Sequence, residues 1–119
     1  MDESSRELVA RDTLLFRRDE ARRAGWLVVQ SRVRRDLRAA LDALVPGERV
    51  WIFGSLTQPG RFNDASDVDV ALEAEPAAMS AGRLSSELSE RLARPVDVVL
   101  LETCRFRDKI RREGELWML

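Results

Sequence analysis

The sequence predicts an α/β (α+β) domain in which a small β-sheet packs against helices and a helical extension precedes it. Three observations support this fold class: a long stretch with apolar residues at helical spacing, three short β-branched segments, and turn-forming residues between them. With 119 residues, 45% of them hydrophobic, the chain has the size and composition of one globular domain.

The first 44 residues predict two helices separated at Gly25. Ser4-Ser5-Arg6-Glu7 has the pattern of a capping box, so we expect a helical arm over residues 1–25 that either covers the core or binds a partner. From Trp26 to Leu44 the apolar residues follow one helical face for five turns. We therefore expect the arm at residues 1–25 and the folded domain at residues 26–119.

The rest of the chain predicts three strands and two helices. The strand segments are short and rich in β-branched or aromatic residues: 49–53, 67–72 and 96–101. One helix is expected from Ser80 to Leu92, and a second over residues 103–112 with Phe106 and Ile110 facing inward. Residues 115–119 then form a short apolar end.

Composition excludes several classes of function. The chain has no histidine, which rules out histidine bases and histidine zinc sites, and its single cysteine, Cys104, cannot form an intrachain disulfide. No apolar run approaches the roughly 20 residues of a membrane helix and no secretory signal precedes the domain, so we expect a cytoplasmic protein without a membrane partner. The net charge of −1 and the acids mixed into the basic stretch 17–38 do not favour nucleic acid as a partner.

The residues that carry chemistry lie at the ends of predicted strands. Gly54-Ser55 follows the first strand, Asp67-Val68-Asp69 begins the second, and Asp97 lies on the third. Because alternate side chains of a strand share a face, Asp67 and Asp69 project together, opposite the apolar residues between them. If the third strand pairs with the second, the three carboxylates converge.

Such a group of carboxylates is unfavourable without a cation, since two like charges about 4 Å apart repel by roughly 4 kcal/mol at an effective dielectric of 20. Oxygen ligands favour Mg²⁺, with Mn²⁺ as an alternative, and Mg²⁺ in turn favours a substrate with phosphates. Gly54 and Ser55 could hold those phosphates through main-chain N–H groups and a hydroxyl. Two metal ions could then activate an attacking hydroxyl at the α-phosphorus of a nucleoside triphosphate such as ATP, with Asp97 as general base and shared ligand.

Ordinary structural explanations remain open for these residues. Asp67 and Asp69 could lie on a solvated strand face, and Asp97 could be a surface residue of an edge strand.

Together these motifs resemble the minimal nucleotidyltransferases of the DNA polymerase β superfamily. The resemblance rests on Phe53-Gly54-Ser55, on Ser66-Asp67-Val68-Asp69-Val70 and on Asp97, and it covers residues 32–119. It implies a mixed sheet, Mg²⁺-dependent nucleotide transfer, Asp67, Asp69 and Asp97 as catalytic metal ligands, and Gly54 and Ser55 at the triphosphate. The interval from Leu56 to Ser66 is one residue longer than the family's usual spacing, and we place the extra residue in the loop before the second strand.

Many small members of this superfamily resemble antitoxins that pair with a helical HEPN-type toxin and adenylylate it on a tyrosine. A chain of this length has little room for an acceptor-binding domain of its own, which favours a partner protein as the acceptor. The leading hypothesis is therefore transfer of AMP from ATP to a hydroxyl of such a partner. The alternatives are a non-catalytic partner-binding module that acts through the arm, and transfer to a small molecule such as an aminoglycoside. Homo-oligomerisation remains open.

Overall fold

The computed structural model describes the backbone of residues 3–119 and the side chains of residues 14–119. The helices are α1 (Glu3–Leu44), α2 (Ala81–Leu92) and α3 (Arg107–Glu113). The strands are β1 (Arg49–Phe53), β2 (Val68–Leu72), β3 (Val96–Leu100) and β4 (Glu115–Met118). Short 3₁₀ turns follow β1 at Gly54–Thr57 and β3 at Leu101–Thr103.

The strands form one mixed sheet in the order β3-β2-β1-β4. β1 is antiparallel to both β2 and β4, whereas β2 and β3 run parallel. A parallel pair needs a long crossover connection, and α2 provides it between β2 and β3. Ser80 caps this helix by accepting a hydrogen bond from the Arg83 N–H.

The predicted break at Gly25 is wrong, because α1 runs without interruption from Glu3 to Leu44. A glycine inside a helix costs only about 1 kcal/mol relative to alanine, and Gly25 lies in a stretch rich in alanine and arginine, which are good helix formers. The boundary between arm and domain at residue 25 stays a prediction. All residues from 14 to 25 are exposed, so this part of α1 extends away from the sheet.

One face of the sheet packs against α1 and α2. Its core consists of side chains that are almost completely buried: Leu37, Leu41, Val50, Ile52, Val68, Val70, Leu84, Leu88 and Val96. The alternation along β2 is therefore as expected, with Val68 and Val70 in this core and Asp69 on the opposite face. This alternation fixes the direction of the acidic side chains.

The other face is covered in part by α3, whose Ile110 packs with Ala71 and Leu101. The expectation that Phe106 faces inward is wrong: its side chain is 64% exposed. The cause is the 3₁₀ turn at Leu101–Thr103, which delays the start of α3 to Arg107 and leaves Phe106 outside its first turn.

The apolar end at residues 115–119 forms a fourth strand beside β1, which we did not predict. Arg34 of α1 holds this strand through a bidentate ion pair with Glu115, with nitrogen–oxygen distances of 2.6 and 3.2 Å. Arg34 and Arg38 both lie over the Trp117 ring. In the described part of the chain, no helix combines the length and the apolar character needed to cross a bilayer.

Candidate functional site

Asp69 and Asp97 occupy paired positions in the neighbouring parallel strands β2 and β3. Adjacent strands lie about 4.8 Å apart, so both side chains leave the sheet as neighbours on the face that α3 covers only in part. Asp67 comes directly before β2, two residues from Asp69. The second and third strands therefore pair, which is the condition for the convergence of the carboxylates, and Asp69 and Asp97 are in register.

The electrostatics of Asp69 show that the carboxylates influence one another. Burial, and then the charges of Asp97 and Asp67, raise the pKa of Asp69 from 3.8 to about 6. Asp69 is only partly exposed, whereas Asp67 and Asp97 are exposed to solvent. Near neutral pH, Asp69 thus holds a negative charge that two neighbouring carboxylates disfavour, and a bound cation would relieve this repulsion.

The turn after β1 lies directly against the Asp69 carboxylate. Gly54 has φ +75°, a conformation that other residues rarely adopt. A Cβ atom at this position would also overlap the Asp69 Oδ2 atom. Both observations explain why glycine is required here, and together they place the turn and the carboxylate in one site.

Three main-chain carbonyl groups of this turn accept hydrogen bonds from other groups of the chain. The Gly54 carbonyl accepts a hydrogen bond from the Thr57 hydroxyl at 2.8 Å, and the Ser55 carbonyl accepts one from the Gln58 N–H at 3.0 Å. The Leu56 carbonyl accepts one from the Gln30 side chain at 2.7 Å. These bonds fix the conformation of the turn, and phosphate binding by its N–H groups and by the Ser55 hydroxyl stays a prediction.

A cavity of about 480 Å³ opens between this turn and α3. Its lining is mixed apolar, polar and charged: Phe53, Gly54, Thr57, Gln58, Phe106, Lys109, Ile110 and Glu113. Neither Lys109 nor Phe106 was predicted as a site residue. The sequence does set Lys109 apart, because it is the single lysine among 20 basic residues.

The donors fit Mg²⁺ or Mn²⁺ in chemistry, because they are carboxylate oxygens and because Asp69 carries the unfavourable charge described above. They are not gathered into a coordination cluster. Among the described side chains, no group of three or more acidic, cysteine or histidine residues has an arrangement that could hold a metal ion. Asp69 and Asp97 lie on one face of the sheet, and the charge of Asp67 also acts on Asp69. A metal ion would have to draw the three carboxylates closer together.

Comparison with known proteins decides the family. The model of the family "Polymerase beta, Nucleotidyltransferase" matches residues 46–118, which is more than half of the chain. The chain belongs to this family. The expected nucleotidyltransferase fold is thereby confirmed, with its mixed sheet and its long N-terminal helix.

A solved crystal structure of a toxin–antitoxin with AMP-PNP has the same fold. It is 22% identical in sequence, with a TM-score of 0.55 over 71% of this chain and 73% of that chain. No curated protein matches. For this nucleotidyltransferase-family chain, the roles of Gly54, Ser55, Asp67, Asp69 and Asp97 stay predictions.

Proposed function

We propose that this protein is a Mg²⁺-dependent nucleotidyltransferase that transfers AMP from ATP to a hydroxyl group of a partner protein. One observation carries the proposal: in a chain of this family, the glycine turn at Gly54 lies against Asp69, and Asp69 pairs in register with Asp97. In this proposal the turn binds the phosphates and the acidic residues bind the metal, so both groups serve the same site.

The residues have separate roles in this proposal. Asp67, Asp69 and Asp97 hold Mg²⁺, and the metal supplies charge neutralisation at the phosphates and activation of the acceptor hydroxyl. Ser55 and the main chain at Gly54 bind phosphate oxygens. The raised pKa of Asp69 supports this division, because a carboxylate that is costly in the free protein gains most from a cation.

The transfer step balances without any further reactant. The acceptor oxygen forms a bond to the α-phosphorus, the bond between that phosphorus and the bridging oxygen breaks, and pyrophosphate leaves. Asp97 accepts the proton of the acceptor hydroxyl. Its exposure supports this role, because a base must be reachable by an acceptor that arrives from outside.

The cavity beside the turn takes the nucleoside in this proposal. Its volume of about 480 Å³ lies in the range of small-molecule sites, and it shares Gly54 with the phosphate turn. Phe106 offers an exposed ring for stacking on a base. Lys109 offers a cation to the phosphates.

A partner protein is supported by the free part of α1. Large apolar side chains there are exposed by 43–63%: Leu14, Leu15, Phe16, Leu27 and Val28. A partner that covers these side chains would remove their apolar surface from water, which favours association. The similar fold in a toxin–antitoxin with AMP-PNP supports a toxin as this partner. The proposal of a helical toxin of the HEPN type, with a tyrosine as the acceptor, rests on the resemblance to small members of the superfamily.

The test is incubation with ATP labelled at the α-phosphate, Mg²⁺ and the product of the neighbouring gene. We expect label on the partner with the wild-type protein, and at least a hundredfold loss, on the order expected from removing charge stabilisation at a transition state, with Asp67→Asn/Asp69→Asn. The matched control is Asp64→Asn, an exposed loop aspartate in the same segment. Transfer that survives the double substitution contradicts the proposal.

A second function is favoured by the absence of a gathered metal cluster among the described side chains. In it, the protein binds and masks its partner without catalysis. This function predicts that Asp67→Asn/Asp69→Asn neutralises the partner as well as the wild type does, and that Leu15→Glu/Phe16→Glu does not. The catalytic proposal predicts that the aspartate variant still binds the partner and no longer modifies it.

A further inference from the structure

Gln30 is a buried polar residue that the proposed chemistry does not use. It lies on α1 and is 7% exposed. Its side-chain Nε2 donates a hydrogen bond of 2.7 Å to the carbonyl oxygen of Leu56, 26 residues away. A polar side chain is costly to bury unless it is bonded, so this contact fixes Gln30 against the segment that follows β1.

Leu56 is the residue directly after Gly54 and Ser55, and it is completely buried. Arg34, one helical turn after Gln30, donates to the same carbonyl at 3.3 Å. Arg34 is itself held by the ion pair with Glu115. Two donors from α1 therefore converge on one carbonyl of the turn, and one of them also connects this carbonyl to β4.

We propose that Gln30 is a positioning residue that orients the Gly54–Thr57 turn for the triphosphate. The proposal rests on the proposed nucleotidyltransferase function. A trans peptide unit is planar, so fixing the Leu56 oxygen fixes the plane that joins Leu56 to Thr57. The Gly54 and Ser55 carbonyls are bonded within the turn and to the residue that follows it, and the bonds from Gln30 and Arg34 attach the turn to α1.

The variant Gln30→Met keeps the length of the side chain and removes its donor. We expect the Kd for Mg²⁺·AMP-PNP, measured by calorimetry, to rise about tenfold, which corresponds to one hydrogen bond of about 1.4 kcal/mol. Because the turn acts on substrate binding, we expect KM for ATP to rise more than kcat falls.

The matched control is Arg38→Met. Arg38 lies on the same helix and donates to a main-chain carbonyl, that of Met118 at 2.7 Å, but it does not touch the turn. We expect it to lower the melting temperature while it leaves the Kd for Mg²⁺·AMP-PNP within about twofold of the wild type. Equal loss of affinity in both variants at equal loss of stability overturns the proposal, and so does an unchanged Kd in Gln30→Met.

Hydrogen exchange of the amides at residues 54–58, without nucleotide, separates this proposal from the proposed function. We expect faster exchange there in Gln30→Met than in Arg38→Met. If the wild type binds no Mg²⁺·AMP-PNP, the proposed function fails, and faster exchange in Gln30→Met still supports the positioning of the turn. Unchanged exchange at these amides overturns the positioning role.

Discussion

Removing the charge of Asp69 should stabilise the free protein above about pH 6, although it removes a proposed metal ligand. The folded state raises the pKa of Asp69 from 3.8 to about 6, and this difference corresponds to about 3 kcal/mol at most. Because the side chain is only partly buried, solvent screening reduces the effect, and we expect about 1–1.5 kcal/mol for Asp69→Asn.

The direction with pH follows from the raised pKa. Well below pH 3.8 the Asp69 carboxyl is protonated in both states and costs nothing. Between about pH 4 and pH 6 the unfolded chain releases this proton while the folded protein retains it, so the stability of the wild type falls. Above pH 6 the loss is complete, and the Asp69→Asn variant does not suffer it, because an amide carries no charge.

Urea unfolding in EDTA, followed by tryptophan fluorescence at pH 4 and pH 7.5, measures this difference. We expect Asp69→Asn and the wild type to be closer in stability at pH 4 and the variant to be more stable at pH 7.5. Asp64→Asn, in the exposed loop, is the matched control variant. A gap that is equal at both pH values, or a variant that is less stable at pH 7.5, would show that the charge of Asp69 does not destabilise the folded protein.

Three further predictions concern the turn, the cavity and β4. Gly54→Ala should destabilise the protein by at least about 1 kcal/mol more than Gly60→Ala in urea unfolding, because both glycines have φ near +75° but only at Gly54 would the new Cβ overlap a side chain, that of Asp69; equal losses would show that backbone strain alone matters. AMP-PNP with Mg²⁺ should protect Lys109, the single lysine, from acylation as measured by mass spectrometry, and unprotected labelling would place the nucleotide elsewhere. Glu115→Gln should lower stability at pH 7 more than at pH 3.5. The hydrogen bond from Arg34 lowers the pKa of Glu115, so the stabilisation by the Glu115 carboxylate is lost as pH falls through that lowered pKa. An equal loss of stability at both pH values would contradict this.

Local patterns were enough to predict the elements that determine the site. The alternation in β2 puts Val68 and Val70 in the core and therefore turns Asp69 to the opposite face. Gly54 ends a buried strand, which predicts a turn, and its positive φ confirms the turn; its role in binding phosphate stays a prediction. These features depend on a few neighbouring residues, which is why the sequence reveals them.

Features that depend on distant contacts were missed. β4 is a strand because Glu115 pairs with Arg34 and Trp117 pairs with Val50, and neither partner is near it in sequence. Gly25 was expected to end a helix, but a single glycine is too weak a signal without a proline or a cap. The contact between Gln30 and Leu56 could not be predicted, because a glutamine in an amphipathic helix gives no indication of its acceptor.

The central claim is that the aspartates and the Gly54 turn form one site for a metal and a triphosphate. Titration with Mn²⁺ and AMP-PNP, followed by NMR, tests it most directly, because Mn²⁺ broadens the signals of nearby amides. We expect selective broadening at Ser55, Asp69 and Asp97, and its loss in Asp67→Asn/Asp69→Asn. Broadening that spares these amides, or that persists in the double variant, would contradict it.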